Sequence, residues 1–227
     1  MTVLKSYVNF WGYMPFLTFE GIDGSGKSSL MKLLEENLKQ RGLHVEITRE
    51  PGGSNIGPEL RSILLRTQGA APCPEAELLI YEADRAQHVA FKIRPWLDQG
   101  IWVLSDRFSD SSVAFQGAGR KIKIEDVKWL NRFATAGLTP DVTVLMDCPI
   151  EVSQTRRQKR EREEKVSADR FEREDKEFHQ AVRDAYLSLA REEKERFIVL
   201  NAQKDPKSLL TDLLQALQKR GTRFENI

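Results

Sequence analysis

The chain has 227 residues, with 35 Lys and Arg against 34 Asp and Glu, a formal net charge of +1. That length suits one α/β domain with a substantial core, and the charge balance argues against a broad basic face built for nucleic acid. Two cysteines, Cys73 and Cys148, and three scattered histidines, His44, His88 and His179, make neither a disulfide framework nor a metal-ligand spacing.

Residues 1–14, which carry Tyr7, Phe10, Trp11 and Tyr13, read as an N-terminal extension with no assigned chemistry. The apolar stretch around Val8 to Phe19 is broken by Asn9, Gly12 and Pro15 and lacks a small-residue cleavage site. It reads as neither signal peptide nor membrane span, so a soluble cytoplasmic protein is expected. Phe16-Leu17-Thr18-Phe19 is then an apolar strand, followed by Gly21-Ile22-Asp23-Gly24-Ser25-Gly26-Lys27-Ser28-Ser29 and by Leu30, Leu33, Leu34 and Leu38 at helical spacing. Strand, glycine-rich turn and helix start come in the order that G-x-x-x-x-G-K-[ST] requires. The glycines let backbone N–H groups turn inward around phosphate oxygens, and the helix start adds unpaired N–H groups and a positive dipole end. Lys27 can reach the β- and γ-phosphates, and the Ser28 hydroxyl can ligate Mg²⁺. The run Gly21 to Ser29 therefore reads as a nucleotide-phosphate site.

Gly42 caps the first helix, and His44 to Thr48 reads as a second strand ending in the loop Arg49-Glu50-Pro51-Gly52-Gly53. Pro58 to Arg66 is a short helix. A longer one starts near Glu75, with Leu79, Ile80, Ala83 and Ala86 assigned to the buried side and Tyr81, Arg85 and His88 to another face. Ile101 to Leu104 is a third strand that delivers Ser105-Asp106-Arg107-Phe108 to its carboxyl end. A helix near Glu125–Ala136 carries Val127, Leu130, Phe133 and Ala134 at helical spacing, and Val142 to Asp147 is a fourth strand. Dense charge from Glu151 to Glu174 includes Arg156, Arg157, Lys159, Arg160 and Arg162. A helix over about Arg173–Glu193, a strand Phe197 to Leu200 and a last helix capped by Asp205-Pro206 and stopped by Gly221 complete the chain. The alternation predicts a five-stranded parallel sheet flanked by helices in one domain, 15–227, with ligands at the strands' carboxyl ends.

A phosphate loop does not name a reaction. The late strands end in Asp147-Cys148-Pro149 and Asn201-Ala202-Gln203, not in the Asn-Lys-x-Asp of a guanine-binding switch. The arginine group suits a lid, about 151–172, that closes cations over an oligophosphate. On charge pattern alone it equally suits a solvated helix face with i,i+4 pairs.

Five motifs narrow the choice: Phe19-Glu20-Gly21-Ile22-Asp23-Gly24-Ser25-Gly26-Lys27, Thr48-Arg49-Glu50-Pro51-Gly52-Gly53, Ala83-Asp84-Arg85-Ala86-Gln87-His88, Ser105-Asp106-Arg107-Phe108 and Asp169-Arg170-Phe171-Glu172. In this order they resemble thymidylate kinase, of the bacterial type with an Arg-rich lid. The resemblance runs from about Phe16 to the final helix. It implies the P-loop NTPase-type fold of nucleoside monophosphate kinases, a homodimer, no nucleic-acid or membrane partner, and transfer of the ATP γ-phosphoryl to dTMP with Mg²⁺, supplying dTTP synthesis.

By the same resemblance, Tyr81 is the aromatic that stacks on thymine and Arg85 the arginine that contacts the base. Arg107 grips the dTMP phosphate, while Asp106 lies near Mg²⁺ with Ser28 and Lys27. Ser112, Phe115 and Gln116 line base and deoxyribose, Phe115 standing where many relatives carry tyrosine. Asp23, Glu50 and Pro51 flank the acceptor, and adenine is expected near Asn201-Ala202. Lys27, Arg107, Arg160 and Arg156 are the expected catalytic cations. Gly24 marks the place where some members carry a loop arginine and others supply the cation from the lid. A phosphate acceptor whose second pKa is about 6 needs no general base. Two other readings stay open: a kinase for another monophosphate or a deoxynucleoside, and a P-loop ATP sensor or nucleic-acid-stimulated ATPase.

Overall fold

A computed structural model describes residues 16–164 and 167–220. The proposed extension at 1–14 and the stop at Gly221 lie outside them. Strands β1 (Phe16–Glu20), β2 (Val45–Arg49), β3 (Trp102–Asp106), β4 (Val142–Asp147) and β5 (Phe197–Asn201) form one parallel sheet in the order β2-β3-β1-β4-β5. The central strand β1 is buried along its whole length, as is β4 up to Met146, which accounts for their unbroken apolar character. The register sets Phe19, Arg49 and Asp106 at one level, so the carboxyl ends of three adjacent strands open onto one place. β3 runs to Asp106 and β2 to Arg49. The expected bounds stopped short because the polar strand ends are still paired in the ladder.

Helix α1 (Lys27–Gln40) turns Leu30, Met31, Leu34 and Leu38 inward and packs beside α9 (Pro206–Gln218), whose Leu209, Leu213 and Leu217 are buried. Each fully buried leucine contributes about 1.5–3 kcal/mol. Asp205 caps α9, accepting from Lys207 N and Ser208 N at 3.1 Å. Helix α8 (Lys176–Glu192) starts three residues after the expected Arg173, because Asp175 is its cap and accepts from Phe178 N at 2.7 Å.

Helix α2 (Gly57–Leu65) follows β2, and α3 (Pro74–His88) overturns the expected burial pattern. Leu79 is 54% exposed and Ala83 is exposed too, while Glu77, Glu82, Asp84, Arg85 and His88 are buried. This helix faces the loop after β2, so its inner side is polar and hydrogen-bonded. Asp84, for example, accepts from Gly52 N at 2.7 Å and Ser54 Oγ at 2.6 Å. A π-helical turn, Val89–Ile93, then leads into α4 (Arg94–Asp98).

After β3, α5 (Ser109–Ser112) passes into a second π-helical segment, Val113–Gly119, and α6 (Ile124–Ala134) follows. On α6, Val127 is buried but Phe133 is 74% exposed and stacks on Trp129 at 5.9 Å. Helix α7 (Ile150–Glu164) carries the arginine group. Its charges divide between two faces. Arg156, Arg157 and Arg160 turn towards the protein, whereas Lys159 and Glu163 form an exposed i,i+4 pair.

Candidate active site

The loop after β1 reaches α1 through Gly26, and Lys27 is buried with Nζ donating to Gly21 O at 3.1 Å and Ile22 O at 3.3 Å. Burial lowers the lysine's pKa, and Arg107 lowers it further, against the nearby carboxylates. Gly24 has φ +80°, and a Cβ there would sit 2.8 Å from Ser153 O and 3.1 Å from Arg157 Cγ of α7. A side chain at this position would collide with α7 unless that helix shifted. Ser153 Oγ also donates to Asp23 O at 2.6 Å, fastening helix to loop.

A cleft of about 790 Å³ is lined by the loop, by Arg49, Asp106 and Arg107, and by Arg156 and Arg160 of α7. Ser28 and Ser29 border it too. Beside it lies a narrow slot of about 60 Å³ between Pro51, Tyr81, Phe115 and Phe171, with Arg85, Ser111 and Gln116 on its walls. Asp23, Glu50, Arg61, Arg107 and Asp169 border both. The two compartments meet at an ion pair, Arg107 Nη2 to Asp23 Oδ1 at 2.8 Å.

Arg107 is held from every side. Its Nη1 donates to Ser111 Oγ and Tyr186 OH, both at 3.2 Å, and its guanidinium lies 4.7 Å over the Phe115 ring. Burial works against its charge, but Asp23, Tyr186 and Asp106 raise its pKa well above the ordinary value. In return, although burial would raise the Asp23 carboxyl, Arg107 and Lys27 hold it well below the usual carboxylate range. Behind this pair sits Glu20, which accepts from Phe108 N at 2.8 Å, Ser111 Oγ at 2.6 Å and Tyr186 OH at 2.7 Å.

Arg85 is 1% exposed and donates to Glu50 Oε2 at 2.8 Å, Glu82 Oε1 at 2.5 Å, Ser112 Oγ at 2.8 Å, Asn131 Oδ1 at 2.7 Å and Phe108 O at 3.0 Å. Glu50 is further fixed by His88 Nδ1 at 2.9 Å, and His88 Nε2 pairs with Thr48 Oγ1 at 2.6 Å. Ser112, expected to line the base, instead supports Arg85 from behind. Ser111, one residue earlier on α5, lies on the wall instead.

On α7, Arg156 bridges Ser25 O at 3.4 Å and Ala202 O at 2.8 Å, so it spans from the loop after β1 to the loop after β5. Arg160 lines the cleft and pairs with Glu172. Sequence reasoning missed Arg61, whose Nη1 donates to Pro51 O at 2.9 Å, and also Glu20, Ser111 and Tyr186. Phe171 and Asp169 stood inside a motif already singled out, with no role given.

A family model described as Thymidylate kinase matches residues 19–213 of this chain. The chain belongs to the thymidylate kinase family. It is 51% identical over 207 residues to the thymidylate kinase of Bdellovibrio bacteriovorus, covering 91% of this chain and 97% of the relative. That of Geotalea daltonii is 47% identical over 188 residues, covering 82% and 88%, and that of Trichlorobacter lovleyi 45% over 206 residues, covering 90% and 97%. The expected parallel-sheet kinase fold and family are thereby established.

Glu20 gives this site a pH signature. Burial, then the neighbouring Asp110, push its carboxyl from 4.5 up to about 7, against Arg107 and its two hydroxyl donors. The folded state therefore holds a proton that the unfolded chain releases, and stability falls as pH rises through that window. We expect a loss on the order of 1–3 kcal/mol between pH 5 and 8 through this group. Glu20→Gln, neutral throughout, should flatten the slope while lowering absolute stability, because one amide oxygen cannot accept all three donors. Urea unfolding of both proteins across that range measures it, and parallel slopes would place the cause elsewhere.

Proposed function

We propose that this chain phosphorylates dTMP to dTDP at the expense of ATP, with the triphosphate in the 790 Å³ cleft and thymidylate in the aromatic slot. The observation that carries the reading is the Arg107–Asp23 junction, which borders both compartments at once. A phosphate acceptor in the slot would lay its phosphoryl oxygens on Arg107, in line with a γ-phosphoryl cradled by Gly21 to Ser29 and Lys27. Catalysis then consists of positioning and of neutralising spread charge, with no proton to abstract. Tyr81, facing Phe171 at 6.1 Å, and Phe115 would enclose the base and sugar, and Pro51 closes the end of the slot. Arg160 would supply lid charge to the transferring group, and Arg156 would clamp the nucleotide between the loop and Ala202.

The residues present fit Mg²⁺. Ser28 Oγ lies 3.3 Å from Asp106 Oδ2, and Asp106 Oδ1 is buried with no partner among the described residues. One hydroxyl and one carboxylate, completed by phosphate oxygens and water, are ligands suited to that ion. When bound, it supplies charge neutralisation at the β- and γ-oxygens.

A deoxynucleoside acceptor would need a base for its hydroxyl. Glu50, the obvious candidate, is already tied to Arg85 and His88. The chain is also proposed to act in the cytoplasm as a homodimer. The packed helices α3 and α6 leave Leu79, Trp129 and Phe133 exposed, a surface suited to a second copy. Among the described residues no helix is long and apolar enough to cross a membrane. Purified protein should convert ATP and dTMP to ADP and dTDP at least ~10²-fold faster than it uses dCMP, dGMP or thymidine. Equal rates on all four acceptors, or polynucleotide-stimulated hydrolysis without transfer, would overturn the reading.

A further inference from the structure

Glu77 is fully buried yet does not line the slot. Its carboxylate accepts from Gln116 Nε2 at 2.8 Å, Arg120 Nε at 3.2 Å and Arg170 Nη2 at 2.6 Å. A carboxylate accepts hydrogen bonds and donates none, and here two guanidiniums compensate its charge. An amide can face a neighbour with either end, but only its NH₂ end can face a carboxylate. Gln116 must therefore turn Nε2 to Glu77 and leave its carbonyl Oε1 for the slot that it lines.

On the same wall, Arg85 Nη2 donates one N–H to Phe108 O at 3.0 Å and carries a second. The slot thus offers an acceptor beside a donor. A pyrimidine with N–H at position 3 and a carbonyl at position 4 matches that pair. A 4-amino pyrimidine opposes it at both atoms, with a bare N3 against a carbonyl and an amino group against a guanidinium.

We propose that Glu77 is a positioning residue for base specificity. By holding Gln116 Nε2 it commits Gln116 Oε1 to the slot and so selects 4-oxo pyrimidines against 4-amino ones. The inference rests on the slot being the thymidylate site. Glu77 also anchors the aromatic wall, since Arg120 and Arg170 lie 5.4 Å and 4.6 Å over the Phe171 ring. Loss of that anchoring alone would slow every acceptor alike, whereas loss of amide orientation changes their ratio.

The probe is 5-methyl-dCMP, which differs from dTMP only at the two atoms in question. Wild-type protein should favour dTMP by ~10³-fold or more in kcat/KM, because mismatched buried polar groups go unpaired. In Glu77→Gln the new amide can either donate or accept, Gln116 is free to turn, and the preference should fall by at least ~10-fold. Arg120→Gln disturbs the same cluster but keeps the carboxylate, and its preference should match the wild type. An unchanged preference in E77Q, or an equal loss in R120Q, would overturn the proposal. Should E77Q fail to unfold cooperatively, the charge-balanced double variant E77Q/R170Q is judged by the same ratio. A wild-type protein inactive on dTMP would instead defeat the reading of the slot. A wild-type protein active on dTMP beside an unchanged E77Q ratio defeats only the role of Glu77.

Discussion

Arg107→Ala is expected to lower kcat/KM for dTMP by about 10³–10⁴-fold, with a higher KM for dTMP and a folded protein. Removing one preorganised cation from a phosphoryl-transfer site costs rates of this order. Beyond the proposed substrate contact, Arg107 holds Asp23 at 2.8 Å and covers Phe115. Lysine should restore only part of the loss, because a single ammonium cannot reach Asp23, Ser111 and Tyr186 while presenting a flat fork to phosphate. The backbone offers a second readout. Arg107 has φ +73°, a left-handed conformation that disfavours any residue with a Cβ, and Ser105 Oγ donates to its carbonyl at 2.7 Å. Arg107→Gly should therefore be as inactive as the alanine variant yet more stable than it by ~1 kcal/mol. Steady-state kinetics with thermal unfolding separates the two effects. An alanine variant within 10-fold of wild type would remove Arg107 from the reaction.

Lys27→Ala should act differently. We expect kcat to fall by roughly 10²–10⁴-fold, about 3–5 kcal/mol of barrier, while KM for dTMP changes little. The reason is spatial, because Lys27 borders the phosphate cleft but not the slot. Its ammonium is bound by Gly21 O and Ile22 O, carbonyls of the loop that would cradle the phosphates, so it is already in place when a triphosphate docks. Truncation also leaves those two carbonyls without their donor, and some loss of stability should accompany the kinetic effect. A large rise in KM for dTMP with kcat intact would show that the lysine serves acceptor binding instead.

These contrasting outcomes follow from the separation of cleft and slot, and that separation was only partly visible in the residue order. The phosphate loop, the strand–helix alternation and the polar strand ends were legible, being local patterns whose meaning depends on neighbours a few positions away. The face of α3 was not. Leu79 and Ala83 look like core by composition, but the helix turns its charged side inward because Gly52 N, Ser54 and Glu50 are there to satisfy it. The π-helical turn after Ser112 has no clear sequence mark either, nor does the placing of Ser111 rather than Ser112 on the slot wall. Glu20 was quoted only as part of a motif, since its partner Tyr186 lies 166 positions away.

What the amino-acid order determined by itself is therefore the parallel sheet, the nucleotide loop and the family, each encoded in contiguous or regularly spaced residues. What only the tertiary structure decided is which polar side chains line the slot and the cleft and which hold those that do. Glu77 shows why. It lies 39 positions from Gln116 and 93 from Arg170, and its charge acquires meaning only when chain folding brings an amide and two guanidiniums onto one buried carboxylate.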